Sequence, residues 1–147
     1  ALMGAPAYGI APGHAQIRAT LRTLEDAAMD ALCARAEALV HEAAQQSGLG
    51  VDLTYEDVFL SCENAPAAVR ELRAALEAEG VPTTGTGLPM RASEDFGRFG
   101  KDCPATLFLL GAGEDHPSLH NPDYDFPDDL IRIGARIFMR TIRNMLG

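Results

Sequence analysis

An α/β fold in two parts is what this chain predicts, and three patterns carry the prediction. Apolar and polar residues alternate over 15–22 and again over 51–55, the period of a half-buried strand. Between these stretches, and twice more downstream, apolar residues recur at three- and four-residue spacing, as on an amphipathic helix. Near the C-terminus the run Ala105-Thr106-Leu107-Phe108-Leu109-Leu110 has no alternation, as expected for a strand covered on both faces.

Residues 1–12 are rich in Ala, Gly and Pro and show no period. Ala15, Ile17, Ala19 and Leu21 form one face of the first strand, and Gln16, Arg18, Thr20 and Arg22 form the other. A helix is expected over 25–46, with Met29, Leu32, Ala36, Leu39, Val40 and Ala43 on one stripe. Glu25 and Asp26 suit its positive end, and Gly48 can stop it in the left-handed conformation. Val51, Leu53 and Tyr55 face one side of a second strand. Strand, helix, strand is a βαβ-type unit, but two strands make a meagre sheet and need others from elsewhere.

Asn64 then reads as an N-cap, with Pro66 in the first turn of a helix that runs to about Ala78 and stops at Gly80. Val69, Leu72 and Leu76 are its buried stripe. An extended, Gly- and Pro-broken segment leads to Ser93, which can cap a turn holding Glu94 and Asp95. Gly111-Ala112-Gly113 ends the apolar run. A final helix over 128–146 is expected to turn Leu130, Ile133, Ile137, Phe138 and Met145 inward. Its acids come first and its bases last, matching the helix dipole. The best boundary between the two parts lies near residues 62–65.

Bulk numbers narrow the function. With 147 residues, 47% of them hydrophobic, the chain can build a core of one domain or two small units. A net charge of −9 argues against nucleic acid or an anionic membrane as partner, since both demand clustered Lys and Arg. Cys33, Cys62 and Cys103 are odd in number and widely spaced, which fits small, mostly buried thiols in a reducing compartment. No signal-like segment and no bilayer-length apolar run is seen, so a cytoplasmic setting is expected. The chain opens on Ala1 rather than methionine, as an excised or processed piece would.

The densest chemistry lies in Ser118-Leu119-His120-Asn121-Pro122-Asp123-Tyr124-Asp125-Phe126-Pro127. Asn-Pro and Phe-Pro pairs stiffen it, because proline fixes its own φ and restricts its predecessor. The loop presents one imidazole among acids, but a metal centre needs three or more ligands. Together with Met90-Arg91-Ala92-Ser93-Glu94-Asp95-Phe96-Gly97, this loop resembles the M20 family of metal-dependent amidohydrolases and peptidases. The likeness is to the aminoacylase, hippurate hydrolase and carboxypeptidase-like branch. In that family a Ser/Gly-Glu-Asp-Phe segment precedes a buried strand, a Gly-rich turn and a Leu-His-Asn-Pro loop, in the order found here.

The resemblance implies a division of the chain. Residues 1–63 would be the second half of a ferredoxin-like lid or dimerisation domain, and 64–147 the C-terminal part of an α/β catalytic domain. It implies that His120 is a metal ligand, with Asp123 and Asp125 as candidates to orient its ring. Glu94 and Asp95 are either ordering groups around the centre or dipole-stabilised acids at a helix start, worth about 0.3–1 kcal/mol each. Arg22 stands where the family places an arginine facing the cleft; it either holds a substrate carboxylate or is simply solvated. Gly111 and Gly113 either let a ligand approach the backbone or mark an ordinary strand exit. His116 reads as solvent-exposed or loop-packing.

For the whole protein the resemblance implies hydrolysis of an N-acyl amino acid or small peptide at a two-metal centre of Zn²⁺, Mn²⁺, Co²⁺ or Ni²⁺, in a homodimer. The family's His-x-Asp and Glu-Glu motifs, which supply the base and most ligands, are not in this chain. Where many members carry Asn-Val-Ile-Pro, this chain has Gly9-Ile10-Ala11-Pro12, so that asparagine's contact is lost. On its own, then, the chain is expected to be incomplete. An expectation of a different class is a non-enzymatic domain that associates through the exposed edge of an unfinished sheet.

Overall fold

A computed structural model describes residues 1–4 and 8–147, which divide into two compact units, Ala1–Glu56 and Asp57–Gly147. In the first unit, β1 (Leu2–Met3) pairs antiparallel with β2 (Ala15–Gln16), with Leu2 opposite Gln16 and Met3 opposite Ala15. The expected strand over 15–22 is thus cut to its first two residues, and 51–55 is not a ladder strand at all. Alternation supplies a face but no partner, and a strand exists only where its N–H and C=O groups find another backbone.

The helix between these stretches needs no outside partner, and α1 (Asp26–Gln46) forms as its periodicity predicts. It begins one residue late because Glu25 is extended (φ −122°, ψ 146°) and acts as the N-cap residue. Its end is a Schellman motif. Gly48 takes φ +65°, its N–H bonds Gln45 O, and the Leu49 N–H reaches back to Ala44 O. No residue of α1 is buried, and Leu32, Leu39 and Val40 of its apolar stripe remain at least a third exposed.

The Tyr55 hydroxyl ties the 51–56 segment to α1 by donating to Glu37 Oε1. That hydrogen bond to a carboxylate favours the protonated phenol and pushes Tyr55 up to about 12 from 10.0. Between these values the folded chain holds a proton that the unfolded chain has lost, so the contact's stabilisation fades as pH rises through about 12. Phenolate absorbance at 295 nm should show one tyrosine ionising late, and Glu37→Gln should return it toward its ordinary value.

In the second unit α2 (Pro66–Ala78) packs against α3 (Asp129–Leu146). Leu72, Leu76 and Ile137 form the core, with Val81, Phe108, Leu110 and Ile133 against it. A second Schellman motif closes α2: Gly80 at φ +67° bonds Glu77 O, and Val81 N–H bonds Leu76 O. Val81 is thereby delivered to the core. At the same end, the Glu79 carboxylate accepts from Arg140 Nε at 2.9 Å and lies 3.6 Å from Arg136 Nε, joining α2 to α3.

Asn64 is not the N-cap; Ala65 is. Asn64 instead uses its amide on the apolar run. Its Nδ2 donates to Leu107 O and its Oδ1 accepts from Leu107 N, both at 2.8 Å. Beside it, Ala65 N bonds Ala105 O at 2.9 Å. The run 105–110 was expected as a strand covered on both faces. It forms no ladder among the described residues, and Leu109 is 67% exposed. One side chain performs the role of a neighbouring strand at a single residue. Asn64→Ala removes both bonds and should cost about 2 kcal/mol, and Asn64→Asp, which keeps the acceptor but sets a carboxylate oxygen against Leu107 O, should cost at least as much. Urea midpoints of the two variants check the ordering.

The α3 helix corrects a further expectation. Leu130, Ile133 and Ile137 turn inward, but Phe138 and Met145 are 60% and 66% exposed. At about 100° per residue, those two share an arc with Ile131 and Ile142, beside the arc that α2 covers. The apolar surface of α3 is wider than one partner helix can bury. Phe138 meets Phe108, with ring centroids 5.9 Å apart. The thiols are free, as expected, but less buried than expected: Cys33 is half-buried while Cys62 and Cys103 are exposed, the latter donating to Phe99 O. Among the described residues no helix is long and apolar enough to cross a membrane.

A 3₁₀ helix (Asp95–Lys101) completes the second unit, with Glu94 rather than Ser93 as its N-cap residue. It sits on the backbone of residues 58–61. Gly97 is buried there, and Arg98 Nη2 donates to Val58 O at 3.2 Å. Residues 58–61, just ahead of the expected boundary near 62–65, are the seat of the 3₁₀ helix and pack within the second compact unit.

Candidate metal-ligand loop

The apolar run anchored by Asn64 leads through Gly111-Ala112-Gly113 into the loop that carries His120, and the loop ends at the first turn of α3. Gly113 takes φ +107°, a conformation that side chains resist. Among the described residues a Cβ on either Gly111 or Gly113 would meet nothing within 4 Å, so neither glycine serves a close approach there. Conformational freedom at the exit explains Gly113; Gly111 has no such requirement.

Two successive turns shape the tip. Asn121 N bonds Ser118 O, and Tyr124 N bonds Asn121 O, each at 3.1 Å. His120 is the third residue of the first turn and adopts φ +70°, a position that favours glycine or asparagine. A non-glycine residue held there costs of order 1–3 kcal/mol, and such residues cluster at functional sites. Only Asp57 shares this feature among the described non-glycine residues. The His120 side chain is exposed at the tip.

The base of the loop is better packed than the tip. His116 and Tyr124 are half-buried, with ring centroids 5.3 Å apart and planes at 71°, an edge-on contact. His116 Nδ1 lies 2.9 Å from Pro117 O. A carbonyl only accepts, so this bond puts the proton on Nδ1 and leaves Nε2 as the ring's lone-pair nitrogen when neutral. The loop-packing reading of His116 is what the structure shows. Its pairing with Tyr124 had no signal in sequence, because an aromatic contact across a loop follows no fixed spacing.

Asp123 and Asp125 are exposed, and among the described residues neither hydrogen-bonds His120. Glu94 and Asp95 begin the 3₁₀ helix, exposed, with no side-chain cap bond from Glu94 and no bond to His120. Arg22 is exposed in the first unit. Among the described residues no three His, Cys, Asp or Glu side chains converge as a metal centre would require. The donors of the described residues do not by themselves fit a metal ion.

Comparison with known proteins gives this loop its context. Peptidase family M20/M25/M40 matches residues 6–144. The protein named "Putative amidohydrolase YhaA" from Bacillus subtilis (strain 168) is 26% identical over 135 residues, covering 88% of this chain and 34% of its own length. The N-acetyldiaminopimelate deacetylase of Bacillus velezensis is 26% identical over 142 residues, covering 95% of this chain and 38% of its own. The chain thus spans about a third of the length of the curated relatives it matches. No solved structure matches it at comparable significance. With the family match extending over nearly all of its residues, from the lead-in to β2 through α3, the chain belongs to peptidase family M20/M25/M40.

Proposed function

We propose that this chain is part of a metal-dependent amidohydrolase that cleaves the amide of an N-acyl amino acid or small peptide, and that it is inactive alone. The observation that carries the reading is His120, an exposed imidazole in a strained left-handed turn, inside a chain that belongs to this family. One relative's name, N-acetyldiaminopimelate deacetylase, describes removal of an acyl group from an amino acid's nitrogen. In such a reaction water adds to the acyl carbon, the C–N bond breaks, and a carboxylate and an amine leave.

In the parent, His120 contributes one imidazole to a divalent, two-metal centre of Zn²⁺, Mn²⁺, Co²⁺ or Ni²⁺. Bound metal supplies activation of the attacking water and polarisation of the carbonyl. Asp123, Asp125, Glu94 and Asp95 order the surroundings of that imidazole, and the Gly111–Gly113 backbone borders the substrate. Residues 1–63 belong to a ferredoxin-like lid and dimerisation domain, in which Arg22 holds a substrate carboxylate. Residues 64–147 belong to the catalytic domain of a cytoplasmic homodimer.

The incompleteness has physical support within each unit: α1 buries none of its residues, and α3 leaves a full apolar arc exposed. Contiguous apolar surface of this kind marks a face meant for contact. The same faces favour the second reading, a non-enzymatic association domain, which would use helix faces as well as a sheet edge.

Metal stoichiometry tests the proposal. After loading with Zn²⁺ or Mn²⁺ and exhaustive dialysis, plasma mass spectrometry should find close to no metal per chain. Two tightly held ions per chain would overturn it. So would hydrolysis of N-acetyl amino acids in proportion to chain concentration and abolished by His120→Ala.

A further inference from the structure

The tip of the loop needs something to hold it. His120 occupies φ +70°, and no acidic side chain among the described residues hydrogen-bonds its ring. The two turn bonds, Asn121 N to Ser118 O and Tyr124 N to Asn121 O, set local geometry but are exposed to competition from water. What remains lies at the base. His116 stands four residues before His120 and Tyr124 four after, and their rings meet edge-on at 5.3 Å.

Each half of that contact is itself constrained. The His116 ring is turned by its Nδ1–H bond to Pro117 O, and Pro117 has its φ locked by the pyrrolidine ring. Tyr124 is tied through its own N–H to Asn121, the residue after His120. Both residues are half-buried, while the acids beside them, Asp115, Asp123 and Asp125, are exposed. An edge-on aromatic pair has a directional preference that aliphatic bulk lacks. Closing this nine-residue segment at its ends also removes most of the conformations in which the tip could relax out of the left-handed region.

We propose that His116 and Tyr124 are positioning residues: their ring contact clasps the loop and holds His120 in its left-handed conformation with the imidazole presented at the tip. The significance of that conformation for catalysis rests on the reading of His120 given above, but the clasp itself does not.

Backbone ¹⁵N relaxation of the whole chain tests the clasp without metal or substrate. The amides of His120 and Asn121 should have order parameters near those of rigid backbone, about 0.85. Tyr124→Phe keeps the ring and should preserve them. Tyr124→Leu keeps apolar bulk without a ring and should drop them below about 0.6, as should His116→Ala. In every variant the amides of α2 and α3 should keep their order and dispersion, so that a global loss of fold is recognised. Unchanged order at His120 in both Tyr124→Leu and His116→Ala would overturn the proposal, and so would an equal loss in Tyr124→Phe. The order parameters report on the clasp and metal stoichiometry on the completeness of the centre, so each idea can fail while the other stands.

Discussion

Gly97→Ala should destabilise the second unit by about 3 kcal/mol, more than most single substitutions. A Cβ at this position would sit 2.4 Å from Leu60 O, 2.8 Å from Ser61 O and 3.0 Å from Leu60 C. All three are backbone atoms, so no side chain can swing aside. The 3₁₀ helix would have to lift from residues 58–61, breaking the Arg98 bond to Val58 O and opening the base on which Phe96 and Phe99 meet. Gly100→Ala is the control, because its Cβ would find nothing nearer than Glu63 O at 4.0 Å. Urea unfolding followed by circular dichroism should show a large fall in midpoint for Gly97→Ala and almost none for Gly100→Ala. Equal behaviour of the two would mean that the close approach is not there in solution.

The other large effect is expected at Ile137. It is the only large side chain among the described residues with no exposure, lying in a core whose other buried hydrophobic members are Leu72, Ala75 and Leu76. Ile137→Ala removes three carbons from between α2 and α3 and should cost about 2–5 kcal/mol. That is a large share of the stability of any domain, and a small core has few neighbours able to relax into the cavity. Ile137→Val should cost only about 0.5–1.5 kcal/mol. By contrast, Phe138→Ala, one residue along, should lose little beyond its contact with Phe108, because Phe138 is 60% exposed. Thermal unfolding should show the largest loss for Ile137→Ala and clearly smaller ones for the other two. A Phe138→Ala loss as large as that of Ile137→Ala would place the core on the wrong arc of α3.

The candidate site was legible only in part. His120 could be picked out because a proline-stiffened loop with the family's Leu-His-Asn-Pro order announces itself within a few residues. Its left-handed backbone could not, since turn hydrogen bonds rather than residue type put a histidine where glycine is at ease. The His116–Tyr124 contact, the Leu107 clamp made by Asn64 and the seat under Gly97 all join residues whose separation carries no periodic signal. Asn64 is the plainest case. An asparagine just before a helix reads as a cap, yet its amide matches the N–H and C=O of a distant residue better.

Local pattern was enough for the three α-helices and their stops, to within a residue or so at each end. A helix satisfies its backbone with carbonyls four residues away, and Gly48 and Gly80 complete the Schellman caps from the same few residues. Motif order was likewise enough for the family, because it survives without knowledge of the fold. Long-range packing had to settle which alternating segment became a strand, which arc of α3 was buried, and how Asn64 and Gly97 met their backbone partners. Each of those depends on a residue distant in the chain. Where no such partner stands among the described residues, at 17–22, 51–55 and 105–110, the strand pattern is present and the ladder is not.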